Sequence, residues 1–247
     1  MRPMQSDDIS SARRVALVTG GAKRVGRAIV ERLSAAGFMV LFTFNSSEQE
    51  ADELVELGLG EAIRCDLTKP ESAAEHLSNS VSLWADRLDV LVHNASAWEP
   101  QSFGKITASS IEQVMKVHVE SPLLITQALA PLLRRTQGHV VTMLDTMAER
   151  GWPGYSAYAA SKSALASLTM SLARELAPDV TVNGIAPGVV DWPKDMPEEE
   201  RRSYLKRVPL GRAGTPQDVA ELVYFLATGG RYINGQIIRL DGGRSVV

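Results

Sequence analysis

The chain has 247 residues, is 45% hydrophobic and carries a formal net charge of −3. That apolar share supports one sizeable core, so a single α/β domain over residues 1–247 is expected rather than two. The scattered basic residues exclude a nucleic-acid-binding stripe, and a lone cysteine, Cys65, excludes an internal disulfide and fits a reducing compartment.

Residues 1–14 are polar, contain Asp7 and Asp8, and lack the apolar stretch of a secretory signal. A flexible tail over residues 1–13 and a cytoplasmic location are expected. No later run approaches the roughly 20 apolar residues that cross a bilayer.

In chain order, short β-branched runs alternate with longer amphipathic ones. The expected series is strand 15–19, helix 25–36, strand 39–44, helix 48–57, strand 62–65, helix 71–84 and strand 90–93. It continues with helix 110–133, strand 139–144, helix 157–176, strand 180–185, helix 216–226 and strand 236–240. This alternation predicts a Rossmann-type doubly wound parallel sheet of about seven strands flanked by helices. Near-continuous apolarity within each strand suits burial on both faces. Gly37, Gly58 and Gly138 stand where helices should stop. From 187 to 212 the alternation breaks, with four prolines and the run Glu198-Glu199-Glu200-Arg201-Arg202. That run reads as a solvated helix face, and residues 188–212 read as a substrate-binding lid.

At the first strand–helix junction stands Thr19-Gly20-Gly21-Ala22-Lys23-Arg24-Val25-Gly26. Glycines at such a junction let backbone N–H groups approach a pyrophosphate at a helix N-terminus. An NAD site usually carries an acid about 20 residues further on, for the ribose hydroxyls. Here the second strand ends in Asn45, Ser46 and Ser47 with no carboxylate. Those donors, with Lys23 adding charge, suit a 2′-phosphate, so NADP(H) is the expected cofactor. Glu48 reads as first-turn helix charge. Arg24 could reach both the pyrophosphate and a ligand above the nicotinamide.

Tyr158 and Lys162 are i and i+4 on an expected helix and share one face. A phenol titrates near about 10, and a close ammonium favours the phenolate, making Tyr158 a usable acid–base group at neutral pH. Small residues around the pair, including Ala157, Ala159, Ala160 and Ala164, leave room for a ligand. Tyr155, with Ala159 at its i+4 position, is the weaker candidate. The four histidines show no metal-ligand spacing, and His93 reads as a hydrogen-bonded core residue. Cys65 reads as a buried, inert thiol. Neither a Gly-x-Ser-x-Gly nor a Walker-type turn occurs.

Thr19-Gly20…Gly26, Asp66-Leu67, Asn94-Ala95, Tyr158…Lys162, Asn183, Pro187-Gly188 and Asp241-Gly242-Gly243 together resemble the short-chain dehydrogenase/reductases over essentially the full chain. Within that family the chain most resembles the pteridine reductases, which carry Arg at the place of Arg24 and Asp, not Ser, at the place of Asp145. Asn94-Ala95-Ser96-Ala97-Trp98 resembles their pterin-contacting segment. Asp195-Met196-Pro197 and Val208-Pro209-Leu210 resemble their substrate loop.

The resemblance implies that Lys162 holds the nicotinamide ribose beside Tyr158. It places Gly20, Val25, Gly26, Asn94, Ala95, Pro187 and Gly188 along the cofactor, and Asp66 and Leu67 at the adenine. Ser96, Trp98 and Trp192 would surround the substrate, together with Arg24, Asp145 and Tyr158. It also implies a homotetramer. His118 stands where the family usually has a catalytic Asn; its imidazole could hold a water in the proton relay and would make that relay pH-sensitive.

Asp145 carries the substrate argument. A ketone reductase needs a donor aimed at the carbonyl oxygen where negative charge grows. An ionised carboxylate is acceptor-only and repels that charge. It suits a ring presenting N–H or NH₂ groups, and burial would raise its pKa so that it can carry a proton. The expected activity is NADPH-dependent reduction of a pteridine, of the dihydrobiopterin or dihydrofolate type. The alternatives are an NADPH-dependent ketone or 3-oxoacyl reductase, and an NADPH-binding structural or regulatory subunit without turnover.

Overall fold

The computed structural model describes residues 13–97, 100–192 and 196–247. Apart from Arg13, the N-terminal tail lies outside the described residues. Arg13 itself donates to the carbonyls of Gly37 and Phe38 at 3.1 and 2.9 Å.

The strands are β1 (Val15–Val18), β2 (Met39–Phe44), β3 (Glu61–Arg64), β4 (Val90–His93), β5 (His139–Met143), β6 (Thr181–Pro187) and β7 (Ile237–Leu240). They form one parallel sheet in the order β3-β2-β1-β4-β5-β6-β7, the doubly wound architecture expected. Side chains alternate across it: Leu17, Leu41 and Leu91 enter one apolar cluster, while Val18, Phe42 and Val92 enter another. Helices pack on both faces of the sheet.

Helices α1 (Arg24–Ala35), α2 (Glu48–Glu56) and α9 (Pro216–Thr228) close the second cluster through Ile29, Leu33, Leu54 and Val223. Helices α3 (Pro70–Trp84), α5 (Ser121–Thr136) and α7 (Ser156–Glu175) close the first through Leu77, Ile125, Leu129 and Leu172. Strand order reverses between β1 and β4, and a ligand crevice forms at the carboxyl ends of a sheet at such a point.

Four local departures matter. The helix expected over 110–133 is α4 (Ala108–Met115), a π turn over Lys116–Glu120, and α5. The wide turn carries His118, which is 1% exposed. Helix α5 ends on Gln137 in the left-handed conformation (φ 52°), not on Gly138. A Cβ on Gly138 would stand 2.9 Å from the Asp89 carbonyl oxygen, so that glycine serves close packing instead.

Strand β6 runs two residues past the expected end, pairing Pro187 with Leu240. A short helix not foreseen, α6 (Met147–Arg150), follows β5. Beyond β6, α8 (Glu198–Leu205) carries the acidic run in its first turn as a solvated face and buries Tyr204.

Candidate active site

The turn after β1 is built by backbone contacts that only small residues permit. Thr19 Oγ1 accepts from the N–H groups of Asn94 (3.0 Å) and Ala95 (3.1 Å). Asn94 Nδ2 donates to the carbonyls of Thr19 (3.0 Å) and Gly20 (2.9 Å). Gly20, at φ +64°, donates its N–H to Thr43 Oγ1 at 3.0 Å. A Cβ on Gly26 would sit 2.0 Å from the Gly20 carbonyl oxygen, so no side chain fits there. The N-terminus of α1 follows at once, with Arg24 held at φ 51°.

A cavity of about 660 Å³ opens against this turn. It brings together Gly20, Lys23, Arg24, Val25, Gly26, Asn45, Ser46, Ser47, Asp66, Leu67, Asn94, Ala95, Ser96, Asp145, Tyr158, Lys162, Pro187 and Gly188. These positions span six strand ends. Two expected residues are not in this set. Trp98 lies outside the described residues, as does Asp195 of the substrate loop. Trp192 is not a wall of the cavity: its ring packs edge-on against Tyr204, centroids 5.5 Å apart, with the Arg201 guanidinium near it.

Walls the sequence reading missed include Met147, Arg150, Trp152, Tyr204, Arg244 and Ser245, and Tyr155, read there as the weaker candidate beside Tyr158, is another. Position just after a strand end was the available signal for those between 147 and 155. The chain's closing turn, already matched at Asp241-Gly242-Gly243, was the signal for Arg244.

Both turn cations have partners. Lys23 Nζ lies 2.6 Å from Glu50, and Arg24 Nε lies 2.5 Å from Asp191 in the segment after β6. To meet phosphates as expected, each must exchange a carboxylate for one.

Tyr158 Oη donates to Asp145 Oδ2 at 3.0 Å, and Asp145 Oδ1 accepts the Met147 N–H at 2.7 Å. Lys162 Nζ donates to the Met143 carbonyl at 2.7 Å and lies 5.7 Å from the Tyr158 ring centroid. Burial raises the Asp145 pKa, as expected, against the pull of the Met147 N–H, Tyr158 and Lys162. Burial also lowers Lys162 to about 8, which the Asp145 charge opposes.

The expectation of a depressed Tyr158 pKa is corrected. Burial first, then the adjacent Asp145 charge, push the phenol above its ordinary value. Spacing on a helix brings Lys162 near, but its ammonium faces a carbonyl and the carboxylate is closer. In this pocket Tyr158 holds its proton at neutral pH.

Residues 20–245 match a family model described as Enoyl-(Acyl carrier protein) reductase. The chain is 35% identical over 243 residues to a 3-oxoacyl-(acyl-carrier-protein) reductase of Aquifex aeolicus, covering 93% of this chain and 96% of that protein. It is 32% identical over 232 residues to a dihydromonapterin reductase of Klebsiella pneumoniae, covering 92% and 95%. A dihydromonapterin reductase of an Enterobacter species is 30% identical over 238 residues, covering 95% and 98%.

The chain belongs to the short-chain dehydrogenase/reductase family.

Such reductases are oxidoreductases that use a nicotinamide cofactor, and the Gly20–Gly26 cradle with the cavity beside it fits one. Among the described residues, no group of three His, Cys, Asp or Glu stands placed to hold a metal ion, and no helix is long and apolar enough to cross a membrane.

In this short-chain reductase His118 is not the titrating relay that the sequence suggested. Burial, and then the Lys162 charge, bring its pKa down to about 2. Both ring nitrogens are engaged, Nδ1 with Ser161 Oγ (2.8 Å) and Nε2 with Ser96 Oγ (3.0 Å) and the Ala97 N–H (3.2 Å). Its ring also meets Tyr158 edge-on, centroids 5.6 Å apart. Cys65 is buried with its thiol raised to about 11, in keeping with an inert role. His93, bonded to Thr126 Oγ1 at 2.8 Å, is the core histidine expected.

These imidazoles tie stability to acid. Burial lowers His93 to about 3, His118 to about 2 and His139 to about 4. Each folded-state pKa is depressed, so the unfolded chain binds more protons once pH falls below about 6.5. Stability is therefore expected to drop from there toward pH 4, each histidine adding a slope of up to about 1.4 kcal/mol per pH unit. Urea midpoints measured from pH 7.5 to 4.5 should decline steadily below pH 6.5. A midpoint unchanged down to pH 5 would contradict neutral burial of all three.

Proposed function

We propose that the protein is an NADPH-dependent pteridine reductase, transferring hydride to a ring carbon of a C=N bond. The carrying observation is the Asp145 carboxylate, 3.0 Å from the Tyr158 hydroxyl. Overall similarity does not choose the substrate, because 3-oxoacyl and dihydromonapterin reductases match comparably. The site supports the choice. A carboxylate offers a growing ketone oxyanion repulsion, whereas it accepts hydrogen bonds from ring N–H and NH₂ groups.

The nicotinamide, when bound, supplies the hydride. Tyr158 holds a proton that it can give to the ring nitrogen, since burial and Asp145 keep the phenol protonated. Asp145 orients Tyr158 and, with its raised pKa, takes up a proton from solvent and passes it to the Tyr158 phenolate, so that the phenol is restored after each turnover. Lys162, fixed by the Met143 carbonyl, holds the ribose and offsets the Asp145 charge. Arg24 and Ser96 flank the ring.

NADP(H) is supported by Asn45, Ser46 and Ser47 on the cavity wall, with Glu48 in the first turn of α2. Lys23 would leave Glu50 for the 2′-phosphate. Residues 188–212 act as the lid in this reading: Met196 and Tyr204 line the cavity, and the Tyr204 hydroxyl accepts the Val189 N–H at 3.1 Å. A cytoplasmic homotetramer completes the proposal. Ile111 on α4 and Met170 on α7 are 45% and 48% exposed and suit an apolar contact between subunits.

The test is turnover. NADPH oxidation is expected with dihydrobiopterin or dihydrofolate at a kcat/KM at least about 100-fold above that for a 3-oxoacyl thioester. The reverse order would make the enzyme a 3-oxoacyl reductase. NADPH binding without turnover of either would leave a binding subunit.

A further inference from the structure

The π turn over Lys116–Glu120 puts a fully buried imidazole between the catalytic helix α7 and the loop after β4, and its protons can be counted. Ser161 Oγ donates to the Tyr158 carbonyl at 2.7 Å; a carbonyl only accepts, so the single Ser161 proton is spent there. The 2.8 Å contact between His118 Nδ1 and Ser161 Oγ therefore needs the proton on Nδ1.

An independent constraint agrees. The Ala97 N–H, which can only donate, points at His118 Nε2 from 3.2 Å, so Nε2 is bare. Ser96 Oγ, 3.0 Å from that same bare nitrogen, must then be the donor. Its proton is turned inward, and its lone pairs remain for the cavity, where Ser96 is an exposed wall.

We infer that His118 is a positioning residue that sets the hydrogen-bonding polarity of Ser96, making it an acceptor toward the bound substrate. Two neighbouring groups on the substrate wall, Ser96 and the Asp145 carboxylate, then both call for donors, and a nitrogen heterocycle with N–H or NH₂ groups supplies them. The inference rests on the pteridine reading only in naming that ligand.

Side-chain reach provides the test. An Asn amide at position 118 reaches where Nδ1 stands, whereas a Gln amide oxygen reaches the place of Nε2. Binding of 2-amino-4-oxopteridine to the NADP⁺-loaded enzyme is expected to weaken roughly tenfold or more in His118→Asn, by loss of the acceptor that orients Ser96. It should stay within about threefold in His118→Gln, and NADP⁺ affinity should hold in both. Adding His118→Asn to Ser96→Ala should cost nothing further. Equal loss in the Asn and Gln variants, or additive losses with Ser96→Ala, would show mere packing and overturn the inference.

In the wild-type enzyme, ¹⁵N spectra of the histidine rings should show His118 protonated at Nδ1 and bare at Nε2 through neutral pH. A proton on Nε2 overturns the inference whatever the ligand. If the pterin fails to bind the wild type while the spectra show Nε2 bare, the pteridine reading falls and the polarity of Ser96 stands.

Discussion

Replacing Tyr158 by Phe is expected to lower kcat for dihydropterin reduction roughly 100- to 10,000-fold, the range over which a positioned proton donor contributes. The change removes one oxygen and keeps the ring that meets His118 edge-on, so the site's shape persists. Its cost falls on chemistry. The Tyr158 hydroxyl is the donor to Asp145 Oδ2, and burial with the Asp145 charge keeps it protonated at neutral pH. NADPH affinity and thermal midpoint should remain near those of the wild type. Stopped-flow measurement of NADPH oxidation separates these quantities. A variant retaining kcat within tenfold would remove Tyr158 as the acid.

Gly26→Ala is expected to abolish productive nucleotide binding and to destabilise the fold. The added methyl would stand 2.0 Å from the Gly20 carbonyl oxygen and 2.7 Å from Asn94 Nδ2. A rotamer change cannot relieve a clash with backbone, so the turn must move. That movement breaks the bond from Asn94 Nδ2 to Gly20, which holds the phosphate turn against the loop after β4. Overpacking of this kind costs up to about 3 kcal/mol or more. At roughly 2–4 °C per kcal/mol for a chain of this size, the thermal midpoint should fall by about 6–12 °C. Calorimetry on the free protein and titration with NADP⁺ check the two parts. Wild-type melting with wild-type affinity would mean that the turn does not cradle the cofactor.

Much of this architecture was legible in the residues. Near-continuous apolar strands, separated by amphipathic stretches, allow little besides a parallel sheet covered on both faces. The Gly20–Gly26 spacing and the i, i+4 pair of Tyr158 and Lys162 located the cavity, because both depend on local geometry. What escaped depends on contacts distant in sequence or on burial. The Arg24–Asp191 pair joins positions 167 apart, and nothing near either residue announces it. Lys116 to Glu120 contains no glycine or proline, so the π turn left no mark in the pattern. The Tyr158 proton was misjudged because helical spacing brings Lys162 near without saying which atom it faces. In the folded chain its ammonium meets the Met143 carbonyl, and the Asp145 carboxylate meets the phenol. His118 was read from its ordinary pKa, and burial between Ser96 and Ser161 removes it from the titrating range.

The substrate assignment turns on whether Asp145 selects a nitrogen ring over a carbonyl. Steady-state kinetics of wild type and Asp145→Ser with dihydrobiopterin and with a 3-oxoacyl thioester tests this directly. The ratio of the two kcat/KM values should shift toward the thioester by at least about 100-fold, the scale of gaining or losing one oxyanion donor. A ratio unchanged between the two enzymes would contradict the assignment.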